Sequence, residues 1–142
     1  MTGERNLETL QQRMAPQLRP ETFVFCTFAD FRLPEGIDPI CTFREAEGLT
    51  AIVERSDAER WGVPHVFESK LITLTVHSSL EAIGFLATVA ASLAKAGIPC
   101  NAVAAYHHDH LFVPQQLAEE AMSLLVGLMS SGSTSSAVND PG

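Results

Sequence analysis

Apolar and polar positions in the second half of the chain follow first a period of two and then a period of 3.6. Over LITLTVH, Ile72, Leu74 and Val76 point to one face and Thr73, Thr75 and His77 to the other, which predicts a strand over 71–77. Ile83, Leu86, Val89, Ala90 and Leu93 then recur at helical spacing and predict an amphipathic helix over 81–96, with Gly97 just past its end. Strand character returns over 100–106. His107-His108-Asp109 predicts a tight reversal in which Asp109 does ordinary turn work, and 110–113 runs back. Pro114 suits a first helical position, where its missing N–H is tolerated, and Leu117, Ala121, Leu124, Leu125 and Leu128 line one stripe of the helix that follows.

The first half is less periodic. Leu7, Leu10 and Met14 share a helical face behind Asn6 as N-cap, and Pro16 and Pro20 end that helix. TFVFCTF predicts a buried strand over 22–28, and Pro34 and Gly36 mark 29–38 as a loop. Strands at 40–45 and 49–54 flank Ala46-Glu47-Gly48, a hairpin turn in which Gly48 supplies positive φ. Ser56 with Glu59 reads as a capping box opening a short helix that Trp61 ends, its indole expected to pack on the core, with an exposed contact surface as the alternative. From Ser130 the chain is small and polar, so 130–142 is expected to be a disordered tail.

Strand, helix, strand, strand, helix over 71–129 is a β-α-β-β-α-β unit without its last strand, and the N-terminal half holds strands to spare. The expected class is α+β: two interleaved ferredoxin-like lobes with antiparallel sheets, 1–69 and 70–129, which share strands. Seventeen acidic against nine basic residues give a formal charge of −8, which disfavours nucleic acid as a partner. No apolar run approaches the roughly 20 residues that span a bilayer, and the start of the chain lacks a signal-peptide pattern, so a cytoplasmic protein without a membrane partner is expected. Cys26, Cys41 and Cys100 lie in apolar runs without C-x-x-C spacing and read as reduced, buried thiols.

The chemistry-bearing residues gather at two places. Ser78, Ser79 and the backbone N–H groups of the turn His77-Ser78-Ser79-Leu80-Glu81 could hold a carboxylate, with Glu81 or Asp109 on a ligand's ammonium; the plainer alternative is that a serine caps the helix. His107, His108, Asp109 and His110 form a cluster beside Tyr106, whose hydroxyl could reach a pocket there, although plain packing is the favoured reading. A polar hairpin tip is favoured over a metal centre, because alternate strand residues diverge. Ser78, His77 and Asp109 make a catalytic triad on paper, yet no Gly-x-Ser-x-Gly elbow, P-loop or dinucleotide fingerprint occurs, and an enzyme is not expected.

FVFCTF, PICTFREAEGLTAIVE, LITLTVHSSLEAIG and YHHDHLFV, in this order, resemble the ACT domain in its aspartate-kinase-like, paired form, and most closely small stand-alone bacterial ACT proteins. The resemblance implies a free amino acid or similar small zwitterion bound where two lobes meet, within one chain or across a homodimer; no cofactor and no metal are expected. It places His77, Ser78, Ser79, Leu80, Glu81 and Gly84 around the ligand, with Asn101, Ala102 and Val103 facing it. Tyr106, His107, His108, Asp109 and His110 then form a rim. His77-Ser78-Ser79 stands where an acidic residue followed by Pro-Gly is commoner in the family, a departure that bears on the choice of ligand. The function so implied is that of a non-catalytic regulatory sensor acting on a protein partner. The alternative is a dimerisation or protein-interaction module without ligand, and metal binding at the histidine hairpin ranks third.

Overall fold

The structure, a computed structural model, describes residues 3–138, with side chains described as far as Ser130. Its elements are α1 (Leu7–Arg13), β1 (Pro16–Phe28), β2 (Cys41–Arg44), β3 (Leu49–Glu54), α2 (Arg55–Arg60), β4 (Val66–Leu74), α3 (Phe85–Lys95), β5 (Asn101–Ala104), β6 (Asp109–Pro114), a 3-10 turn (Gln115–Leu117) and α4 (Ala118–Val138). The strands follow the order β2-β3-β1-β4-β6-β5 in one six-stranded sheet. Pairing is antiparallel for β1 with β3, β2 with β3 and β5 with β6. The fold is α+β, as expected. The chain divides into two compact units, Met1–Arg19 with Leu71–Gly142, and Pro20–Lys70, so β1 and β4 each pass through both. Helix α1 lies in the same compact unit as residues 71–138, where Gln11 Nε2 donates to the Leu128 carbonyl at 3.0 Å.

In the unit containing 71–138, α1, α3 and α4 bury Leu10, Met14, Phe85, Val89, Leu93, Ala121 and Leu125 with Ile72, Leu74, Leu111 and Val113 of the strands. Asn6 caps α1 as expected, its side chain accepting from the Thr9 N–H at 2.9 Å. Helix α3 starts at Phe85, later than expected. The Ser79 hydroxyl accepts from the Glu81 N–H at 3.0 Å and the Ser79 carbonyl from the Ala82 N–H at 3.0 Å, and this local turn chemistry competes with helix until Gly84, at φ 82°, resets the backbone. Ile83, expected on the core stripe, is therefore exposed. Pro114 ends β6 and does not open a helix, because the 3-10 turn stands between them. Helix α4 continues past Met129 to Val138, over a stretch without the proline that would force a stop; 139–142 lie outside the described residues.

The unit of Pro20–Lys70 has a smaller core of Val24, Cys26, Ile37, Ala51, Val53 and Ala58. Loop 29–40 stands between β1 and β2, where the other repeat has α3 between β4 and β5. Strand β1 begins at Pro16, so the two prolines expected to precede it are part of it. Its register with β3 covers only Phe23–Phe28 and makes no use of the N–H groups those prolines lack. Ser56 does not cap α2. The helix starts at Arg55 with Glu54 as N-cap, and Glu59 pairs with Arg55 at 3.7 Å. Gly48 is needed more for space than for its φ of 158°: a Cβ there would lie 2.7 Å from the Phe28 carbonyl oxygen. Trp61 is half exposed, since α2 ends at Arg60 and leaves the indole at the surface beside Gly36.

Candidate functional site

Strand β4 leaves the ladder at Thr75. That residue's N–H and hydroxyl both bond the Ala15 carbonyl, at 3.4 and 2.8 Å, so the 71–77 strand expected from alternation stops at Leu74 and the chain enters the turn. The turn is held from two sides. The Ser78 hydroxyl donates to Asp109 Oδ2 at 3.0 Å, and both residues are buried. On the other side lies a segment that the sequence did not mark: Glu4 forms an isolated parallel bridge with Ser78. The Glu4 N–H donates to the His77 carbonyl at 2.9 Å, and the Ser79 N–H donates to the Glu4 carbonyl at 2.9 Å. Ser78 and the Ser79 N–H, the groups proposed for a ligand carboxylate, thus have partners within the chain.

Asp109 is the first residue of β6 and not part of the reversal. The loop is 105–108, closed by a 3.0 Å bond from the Ala105 N–H to the His108 carbonyl, and the one-residue change turns the carboxylate inward. Burial raises its pKa, opposed by the Ser78 hydrogen bond and the charges of His110 and His108. Next to it His110 Nδ1 lies 3.0 Å from Thr73 Oγ1, and burial, with His108, pushes the imidazole's pKa below its ordinary value. His77, His107 and Tyr106 form a chain of rings, with centroids 5.4 Å apart for His77 and His107 and 4.9 Å for Tyr106 and His107. His108 lies 6.4 Å from both His77 and His110.

The fold therefore brings His77, Ser78, Tyr106, His107, His108, Asp109 and His110 into one cluster on the turn and the β5-β6 hairpin. Val103 pairs with His110 and Ala104 with Asp109 in the ladder, which puts β5 beside the cluster, although Asn101 and Ala102 lie at its far end opposite Phe112 and Leu111. Leu80 and Glu81 are exposed, and Gly84 is the N-cap of α3. Gly3, Glu4 and Thr73 complete the arrangement. Only Thr73 had a sequence signal, its place on the His77 face of the strand.

Several chemistries can be compared with this geometry. Among the described residues no three His, Cys, Asp or Glu side chains are placed to hold a metal ion. The Ser78 hydroxyl goes directly to Asp109 with no imidazole between them, so the triad drawn on paper is not assembled. Burial raises the thiol pKa of Cys26 and Cys100, which makes neither an activated nucleophile. A hollow of about 420 Å³ beside Ala90, Ala94 and Gly97–Cys100 contains no residue of the turn, and neither does one of about 370 Å³ lined by Phe25–Thr27, Thr50 and Pro64–Val66. No helix among the described residues is long and apolar enough to cross a membrane.

Comparison with known proteins gives a consistent result. A model of the ACT domain matches residues 2–70, and a second ACT-domain model matches residues 66–126. No curated protein matches the chain. A Vibrio cholerae protein of unknown function shares 41% identity at a TM-score of 0.76, over 90% of this chain and 99% of that one. An Agrobacterium tumefaciens protein is 17% identical, with a TM-score of 0.68 over 80% of this chain and 87% of its own. The regulatory subunit of aspartate kinase from Thermus thermophilus, in its ligand-free form, is 10% identical with a TM-score of 0.61 over 80% of this chain and 95% of its own, a likeness of fold. ACT domains are commonly regulatory, ligand-binding modules. With two ACT models spanning residues 2–126 between them and a 41% identical relative covered almost end to end, the chain belongs to the ACT domain family, in a paired form whose fold it shares with aspartate kinase regulatory subunits.

Proposed function

We propose that this protein is a non-catalytic sensor of a free amino acid or similar small zwitterion, held at the turn His77–Glu81, with Gly84, the β5 residues Asn101, Ala102 and Val103, and a rim of Tyr106, His107, His108, Asp109 and His110. The observation that carries the reading is the pair of main-chain groups at the turn, the His77 carbonyl and the Ser79 N–H, which together bond the N–H and C=O of a single residue. An α-amino acid offers the same donor and acceptor as ammonium and carboxylate. The ACT family and the aspartate kinase regulatory subunits that share the fold support a regulatory output. That output would go through a homodimer or a cytoplasmic protein partner, as a ligand shifts an equilibrium only by its unequal affinity for two states.

Thermal unfolding with each of the twenty free amino acids tests the proposal, because a ligand at 100 times its dissociation constant adds about 2.7 kcal/mol of stability. A clear rise in melting temperature with one or a few of them is expected, and no rise with any would sink the sensor.

A second reading is favoured by one observation: the exposed side chains of Leu80, Ile83 and Tyr106 flank a turn whose polar groups have partners within the chain. On this reading the module is an interaction surface that needs no ligand. Sedimentation would then give an oligomer whose mass and compactness do not respond to amino acids.

A further inference from the structure

The residue bonded to the turn is Glu4, from the segment that precedes α1. Its N–H reaches the His77 carbonyl and its carbonyl receives the Ser79 N–H, both at 2.9 Å. The seat is close: a Cβ on Gly3 would lie 2.7 Å from the His77 carbonyl oxygen, 2.7 Å from the Ser78 carbonyl carbon and 2.8 Å from the Ser79 nitrogen, all backbone atoms that cannot swing aside. The Glu4 side chain turns the other way. One of its carboxylate oxygens accepts from the Arg5 and Asn6 N–H groups, each at 3.0 Å, so the side chain is spent on the start of α1 and only the main chain is presented to the turn.

We infer that the Gly3–Glu4 segment is a built-in competitor for the ligand. Resting on the sensor reading, the inference adds what holds the site when no ligand is there and which part of the chain moves when one binds. Glu4 supplies the donor and acceptor of one amino-acid unit to the same two turn groups, so an incoming amino acid gains these bonds only by displacing it. The apparent affinity is lowered by the fraction of molecules whose segment is in place. Release of the segment is then the conformational signal, and α1, which begins three residues after Glu4 and packs in the same core as α3 and α4, is the element through which it is felt.

The test compares wild-type protein with Gly3→Val, which cannot seat the segment yet alters no residue of the turn. Calorimetric titration with each of the twenty free amino acids is paired with amide exchange of Glu4 and Ser79 measured by NMR. The expected result is that Gly3→Val binds the same amino acid on the order of tenfold more tightly, as two modest hydrogen bonds no longer compete. The Glu4 amide should be protected in the free wild type and exchange rapidly once the ligand is added. Equal affinity in the two proteins, or a Glu4 amide that stays protected when ligand is bound, overturns the competitor and leaves the sensor standing. Absence of binding to both proteins overturns the two together. Should Gly3→Val fail to fold, Glu4→Pro, which lacks the N–H that the His77 carbonyl accepts, takes its place with the same expected tightening.

Discussion

Ser78 Oγ donates a 3.0 Å hydrogen bond to Asp109 Oδ2, and both residues are buried. This bond ties the turn after β4 to the first residue of β6. Ser78→Ala leaves a buried carboxylate oxygen without its donor, and the cost is about 1–3 kcal/mol. Urea unfolding at neutral pH measures it. A midpoint unchanged from wild type would mean that the pair does not hold the turn.

The neighbouring Asp109 and His110 should give pH dependences of opposite sign. Asp109 has a folded pKa raised above its ordinary value of 3.8, so the folded state takes up the proton first as pH falls. Its contribution is fully present below pH 3.8 and is lost as pH rises through the folded value. Asp109→Asn removes that loss while keeping an acceptor for Ser78, and should match or exceed wild-type stability at pH 7. His110 has a folded pKa lowered from 6.5, so its contribution is present above pH 6.5 and is lost as pH falls through the folded value. His110→Gln should flatten the acid side of the stability profile. Urea midpoints between pH 4 and 8 separate the two effects, and parallel profiles for wild type and both variants would contradict them.

The β2-β3 hairpin depends on the absence of a side chain at Gly48. Gly48→Ala places a Cβ 2.7 Å from the Phe28 carbonyl oxygen, a backbone atom that moves only if the strand end moves. A loss of about 1–3 kcal/mol is expected. Gly62, around whose added Cβ nothing lies within 4 Å, serves as the control for space. Thermal melts of Gly48→Ala and Gly62→Ala compare them: both positions have positive φ, +158° and +63°, and only Gly48→Ala adds the clash.

The start of α3 can be located by two truncations. Phe85 is 2% exposed and sits in the core with Val89 and Leu93, whereas Ile83, two residues earlier, is 85% exposed. Phe85→Ala should cost about 3–5 kcal/mol. Ile83→Ala should stay within roughly 0.5 kcal/mol, as surface changes do. Equal losses would show that the helix begins before Phe85.

A period of 3.6 in Leu86, Val89, Ala90 and Leu93, a period of two in Ile72 and Leu74, and Gly48 between two apolar runs were enough to place most elements and the class of the fold. These signals are local: each depends on residues a turn or a strand apart, and burial of one face enforces them. The order of the elements and the missing last strand of the second repeat carried the pairing of two lobes as well. The cluster of His77, Ser78, Asp109 and His110 was legible as residue types around a turn.

Its internal geometry was not legible. Whether Ser78 caps a helix, meets a ligand or bonds Asp109 depends on which residue begins β6, and a one-residue difference in the hairpin reverses where the Asp109 carboxylate points. Alternation alone cannot fix that register. Nor could any local pattern bring Gly3 and Glu4 to His77 and Ser79, because two main-chain hydrogen bonds between segments far apart in sequence leave no signature in side-chain periodicity. Local patterning was enough for the elements, the class and the candidate turn. Tertiary structure decided the partners of each polar group, because satisfying a buried carboxylate and a turn's backbone requires groups that only folding brings within 3 Å.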